Sequence, residues 1–217
     1  MWPVVLRNGM DNANHLQKVQ RKAMTKTKTP SVIRNKLADS RCYLAGAMEK
    51  KEDKGTEWRN DVKKNLQYLH VFWLDPTCKP CSMGQETKAI HDKLEKDRIE
   101  LRDHAVKSTM RPVRRIDLRM VDICDFMIVN VDIDVPTFGT HEEVLRAISQ
   151  NKPVLIHLDG KKQLPLWWYD VVETSRVFTK WIDLYAYLNE IATSKETDEE
   201  LMRASGYSWM LFDWMGE

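Results

Sequence analysis

From residue 41 onward the chain alternates short apolar runs with longer segments whose apolar residues recur at helical spacing, the sequence form of a parallel sheet covered by helices. Strands are expected at RCYLA (41–45), HVFWL (70–74), DFMIVNV (125–131), PVLIHL (153–158) and RVFT (176–179). Helices are expected near 56–68, 84–106, 111–123, 140–151 and 180–192, with a short one in LPLWWYDVV. Together these predict an α/β fold, a flavodoxin-like or Rossmann-like doubly wound sheet of about five parallel strands. No internal repeat at solenoid spacing is present.

In open sheets of this kind ligands bind outside the carboxyl ends of the strands, where loops and helix N-termini gather polar groups. The loops that matter are therefore AGAMEKKEDKGTEWR, DPTCKPCSMG, DIDVPTFGTHEE and DGKKQLP, which follow the first four strands in order.

With 217 residues, 42% hydrophobic and 30% charged, the chain suffices for one substantial domain, placed at 40–195. Residues 1–39 read as a basic, flexible extension, and 196–217 as a C-terminal helix with an aromatic tail. The formal charge of +2 does not argue for nucleic acid. The basic residues are nevertheless uneven: Arg7, Lys18, Arg21, Lys22, Lys26, Lys28, Arg34 and Lys36 crowd the N-terminal arm against only Asp11 and Asp39. Contact of that arm with nucleic acid is the minor alternative to a plain solvated tail. No apolar run reaches the roughly 18 residues that span a bilayer. The opening MWPVVLRNGM lacks the parts of a secretory signal, and scattered cysteines fit a reducing cytosol better than a disulfide framework.

The acids carry the candidate chemistry. THEE has the form of a capping box, with Thr140 accepting a backbone N–H and Glu143 reaching back. TDEE at Thr197 to Glu200 has the same form with nothing chemical around it, so a cap alone proves little. At about 100° per residue, Val144, Ala147 and Ile148 define the buried face of this helix. Glu143 falls at the rim of that face, and Glu142 points toward solvent. In VRRIDLRMVDIC, the residues Val113, Ile116, Met120, Val121, Ile123 and Cys124 form one apolar arc. Asp117 lies inside the arc and Asp122 opposite it. An acid on a core-facing stripe is costly unless paired or used. Asp125, at the start of the third strand, suits a structural role toward a loop amide.

The order and spacing of CYLAGAM, GTEWRNDV, DP, DLRMVDICDFMIVNVD and GTHEEVLRAISQNKPVLI resemble the nucleoside 2-deoxyribosyltransferase-like family, including its nucleotide N-glycosidases. The variant looks most like members common in bacteriophage and prophage genomes. In the family a Gly-containing loop opens a helix as G-x-x-x-E with a small residue four positions on, here Gly139, Glu143 and Ala147. The resemblance thus implies Glu143, rather than Glu142, as nucleophile. It implies Asp117 as the acid that meets the base, with Tyr43, Gly46, Asp125, Thr137, Gly139 and Thr140 around the substrate. It also implies cleavage or transfer of an N-glycosidic bond on a nucleoside or nucleotide, with neither cofactor nor metal, by a cytoplasmic homo-oligomer. For a 5′-monophosphate the best cationic partner is Arg59, following Trp58 at a helix start. One departure is Thr137, which stands where the family's transferases carry a further Asp, and it leaves base identity and exchange activity open.

Two alternatives stand beside this: hydrolysis of another N-glycoside such as NAD, and a nucleotide-binding protein without turnover. CKPC (78–81) is a single C-x-x-C lacking the two further ligands of a zinc site at diagnostic spacing. Trp167, Trp168 and Tyr169 read as packing, and the tail GYSWMLFDWMGE as an apolar segment in search of a partner.

Overall fold

The structure is a computed structural model that describes residues 35–48, 51–79, 84–160 and 163–193. Most of the basic arm, Cys81, the TDEE segment and the aromatic tail lie outside the described residues. Five strands, β1 (Arg41–Gly46), β2 (Phe72–Leu74), β3 (Phe126–Val131), β4 (Val154–Leu158) and β5 (Val177–Phe178), form one sheet in the order β2-β1-β3-β4-β5. Every pairing is parallel. The expected doubly wound α/β class is what the chain adopts.

The central strands are apolar in nearly continuous runs, interrupted by Asn130 in β3 and His157 in β4, because both faces are covered. On one face Cys42, Leu44, Phe126, Ile128 and Leu155 pack with Val62 of α1 (Thr56–Asn65) and with Leu184, Leu188 and Ile191 of α6 (Trp181–Thr193). On the other, Tyr43, Ala45, Met127, Val129 and Ile156 meet Met120 and Val121 of α3 (Asp103–Ile123), Val144 and Ala147 of α4 (Phe138–Ser149), and Trp168 of α5 (Trp168–Val171). Alternate strand residues point to opposite faces, so Tyr43 turns toward α3 and α4.

Three expectations need correction. Residues 35–39, assigned to the arm, are packed against the domain: Leu37 is fully buried, Lys36 N–H donates to the Ala192 carbonyl, and Asp39 N–H donates to the His70 carbonyl. The expected helix 84–106 is instead α2 (Lys88–Ile99), capped by the Thr87 side chain. It ends where Leu101 adopts φ 55° and Arg102 folds back onto buried Asp97 at 2.6 Å. The expected break before residue 111 is absent, because α3 runs continuously through Pro112. The apolar stripe that buries Val113, Asp117, Leu118, Met120 and Val121 outweighs the one backbone bond a proline removes.

Strand order reverses between β1 and β3, and the carboxyl ends of these two strands leave the crevice that such a switch point opens. At that edge Gly46 is required by close approach. A Cβ there would stand 3.0 Å from the Asn130 carbonyl oxygen and 3.0 Å from the Trp58 ring.

Candidate active site

A cleft of about 820 Å³ opens at this edge, between the ends of β1 and β3, the segment after β2, α2, α3 and the start of α4. Gly46, Arg59, Asp117, Thr137, Gly139, Thr140 and Glu143 all line it. Tyr43 reaches it from beneath, its hydroxyl donating to Glu143 Oε1 at 2.8 Å.

The capping box is not formed. Helix α4 begins at Phe138 with Thr137 in the N-cap position and no side-chain cap, which places Thr140 inside the first turn, buried at 6% exposure. The Glu143 carboxylate is thereby released from the helix end and turned onto Tyr43. Burial, reinforced by the charge of Asp117 and opposed by the Tyr43 bond, pushes Glu143 up to about 8. Burial also drives the Tyr43 hydroxyl well above its ordinary range, with Glu143 and Asp117 adding to it, so Tyr43 stays a donor. Glu142, expected to be simply solvated, is held by Arg114, whose Nε donates at 2.8 Å while Nη2 takes the other oxygen.

Asp117 is buried as its place in the apolar arc predicts, at 8% exposure. It is held up at about 6, chiefly by desolvation, against the pull of Lys79, whose Nζ stands 2.9 Å from Oδ1. Lys79 and Glu86 are the members of the site that the sequence did not single out. Lys79 has no exposed side-chain surface and also reaches Glu86 Oε1 at 2.8 Å. The available signal was a lysine inside CKPC, just after the strand-end DP, but only the fold brings it against Asp117.

Arg59 and Asp125 have roles other than those expected. Arg59 is fully buried, donating to the carbonyls of Leu44 at 3.2 Å, Gly55 at 2.7 Å and Gly46 at 3.1 Å, with Asp75 at 3.7 Å. With no accessible surface it braces the loop after β1 instead of offering a fork to a phosphate. Its buried charge lies close enough to Glu143 to favour the carboxylate. Asp125 is at the amino end of β3, the opposite edge of the sheet. There it accepts from Arg41 N at 2.7 Å, Nε at 3.1 Å and Nη2 at 2.9 Å, and its own N–H donates to the Arg41 carbonyl. Parallel strands keep that edge away from the cleft, so Asp125 does not meet a ligand there.

Gly139 has open space where a Cβ would go and no positive φ, so neither packing nor backbone demands glycine. What a side chain would occupy there is cleft. Of the aromatic trio, Trp168 packs, edge-on to His141 with centroids 5.0 Å apart, whereas Trp167 and Tyr169 are exposed. Cys78 is free and exposed, and among the described residues no group of three or more His, Cys, Asp or Glu is arranged to hold a metal ion. Among the same residues no helix is long and apolar enough to cross a membrane.

No protein-family model matches the sequence, and no curated protein does. Among solved structures the chain is similar to a 2-desoxiribosyltransferase from Leishmania mexicana, at 18% identity and a TM-score of 0.46, covering 70% of this chain and 97% of that one. It is similar to a 2-deoxyribosyltransferase from Bacillus psychrosaccharolyticus, at 17% identity and 0.46, covering 69% and 96%. A CMP N-glycosidase from Clostridium botulinum follows at 16% identity and 0.39, covering 70% and 97%.

Proposed function

We propose that this cleft cleaves or transfers the N-glycosidic bond of a (deoxy)nucleoside or nucleoside 5′-monophosphate, with Glu143 as nucleophile and Asp117 as the acid that meets the departing base. The observation that carries it is the Tyr43–Glu143 contact of 2.8 Å in a cleft that a second carboxyl, the buried Asp117, also lines. The motif resemblance seen in the sequence falls on these same residues.

The chemistry follows from the two acids. A Glu143 oxygen attacks the anomeric carbon from the face opposite the base, and the electron pair of the breaking C–N bond goes to the base nitrogen, which takes a proton from Asp117. Water, or a second base, then attacks the anomeric carbon and expels Glu143. Tyr43 fixes Oε1, leaving Oε2 as the attacking atom. The first-turn amides of α4, which no side chain caps, are donors for sugar hydroxyls or a phosphate. Phe138 at the cleft, 95% exposed, is apolar surface that a second copy would cover, which supports a homo-oligomer.

With Glu143 at about 8 and Asp117 at about 6, the pair holds one proton between these limits, mostly on Glu143, and the reactive form, with Glu143 ionised and Asp117 protonated, is the minor tautomer of that one-proton state. Below the lower limit both acids are protonated and the nucleophile is lost. Above the upper one no proton remains for the base. Turnover is therefore a bell with its maximum near pH 7. The protein is to be incubated with deoxynucleosides, their monophosphates and NAD, and free base followed by chromatography, with Glu143→Gln in parallel. Base release lost in the variant supports the proposal; full activity in Glu143→Gln, or base release from NAD alone, refutes it.

A further inference from the structure

We propose that Lys79 is a positioning residue for the acid–base step: a buried ammonium shared between Asp117 and Glu86 that sets how readily Asp117 holds its proton. This rests on the assignment of Asp117 as the acid above.

A lysine ammonium has three donors and no acceptor. Lys79 Nζ lies 2.7 Å from the Gly84 carbonyl oxygen, 2.8 Å from Glu86 Oε1 and 2.9 Å from Asp117 Oδ1, with none of its side chain exposed. Two donors are hydrogen-bonded, one to the backbone and one to Glu86, while the contact with Asp117 is an ion pair without hydrogen-bond geometry that leaves Oδ1 with no hydrogen-bond partner. A buried, unsolvated ammonium persists only with such compensation.

The loop is built to deliver it. Gly84 has φ +72°, and a Cβ there would lie 2.7 Å from Ile116 Cδ1, so glycine lets the segment press against α3 one residue before Asp117. Gln85 Nε2 donates to the Lys79 carbonyl at 2.9 Å and fixes the backbone from which the lysine departs. Glu86, the competitor for the ammonium, is itself approached through Oε2 by His91 Nε2 of α2 at 3.7 Å.

The charged and titratable groups around Asp117 therefore come from every neighbouring element: Lys79 and Glu86 from the segment after β2, Arg59 from α1, Glu143 from α4, Tyr43 from β1, and His91 from α2 behind Glu86. Lys79 touches Asp117 directly, and among the described residues its other acidic partner is Glu86. Weakening one contact strengthens the other. The lysine thus acts on the base-protonating step without meeting the substrate.

The test uses the full chain with ¹³C-labelled aspartate, the Asp117 carboxyl being assigned through Asp117→Asn and titrated by NMR in wild type, Lys79→Met, Lys79→Arg and Glu86→Gln. In Lys79→Met the midpoint rises by about one pH unit or more, since the cation that favours the carboxylate is gone. In Lys79→Arg it stays near the wild-type value. In Glu86→Gln it falls, because the ammonium no longer divides its charge; this variant keeps the cation and serves if Lys79→Met does not fold. An unmoved midpoint in Lys79→Met, or a midpoint that does not fall in Glu86→Gln, overturns the inference. The lower limb of the pH–rate profile is expected to shift with the carboxyl midpoint, and a limb that stays put while the midpoint moves also overturns it. If the midpoints move as stated but no substrate releases base, the proposed function fails while the electrostatic role of Lys79 stands.

Discussion

Replacing Glu143 by glutamine has a consequence for stability that needs no substrate. The Glu143 carboxyl is raised from 4.5 to about 8 in the folded protein, so the native state holds this proton more tightly than the unfolded chain does. A carboxyl raised in this way costs nothing at low pH, where it is protonated in both states. Its penalty grows as pH rises above the unfolded value and is complete above the folded one. At about 1.4 kcal/mol per unit the full shift is a ceiling of about 5 kcal/mol. The side chain faces a solvent-open cleft, which screens part of that, and about 2–4 kcal/mol is the expected size. Glutamine keeps the shape and an oxygen for Tyr43 but never ionises. Urea unfolding at pH 5, 7 and 9 should therefore show the two proteins nearly equal at the lowest pH, with Glu143→Gln gaining steadily to about 2–4 kcal/mol at the highest. A difference that stays constant across this range would refute the claim that its surroundings raise the Glu143 carboxyl in the folded protein.

Other substitutions separate neighbouring roles. Glu142→Gln breaks an exposed pair with Arg114 and should change base release by less than about threefold, measured by chromatography. Gly139→Ala should stabilise α4 by about 0.5–1 kcal/mol in urea unfolding while raising KM, because the added methyl meets no protein atom and enters the cleft. Arg59→Met leaves the carbonyls of Leu44, Gly46 and Gly55 without their donor, and should cost about 3 kcal/mol or more in the same unfolding assay.

Much of the sheet was legible because strands covered on both faces are written as nearly continuous apolar runs, as in FMIVNV and VLIHL, each interrupted by a single polar residue, Asn130 and His157. Asp117 was legible for a related reason: a charged residue on an otherwise apolar helical arc stands out wherever the arc is buried. Local signals misled where a tertiary contact competed with them. THEE carries every mark of a cap, but Tyr43, 100 residues away in sequence, takes the glutamate that would have closed it. Arg59 looked like a surface cation beside a tryptophan, since nothing local shows that three carbonyl oxygens converge on it. Asp125 was drawn toward the site by the family resemblance, although the start of a strand and the end of a helix packed on the sheet need not share an edge. Lys79 was invisible for the same reason, because its two acidic partners meet only when the segment after β2 presses on α3.

Covalent attack by Glu143 is the central step of the proposed reaction, and stereochemistry reports on it. Two displacements at the anomeric carbon retain configuration, whereas direct attack by solvent inverts it. A β-deoxynucleoside turned over in water containing methanol gives a methyl deoxyriboside whose anomeric proton is resolved by NMR. The β anomer, absent with Glu143→Gln, is the predicted product; the α anomer would contradict a glutamate nucleophile.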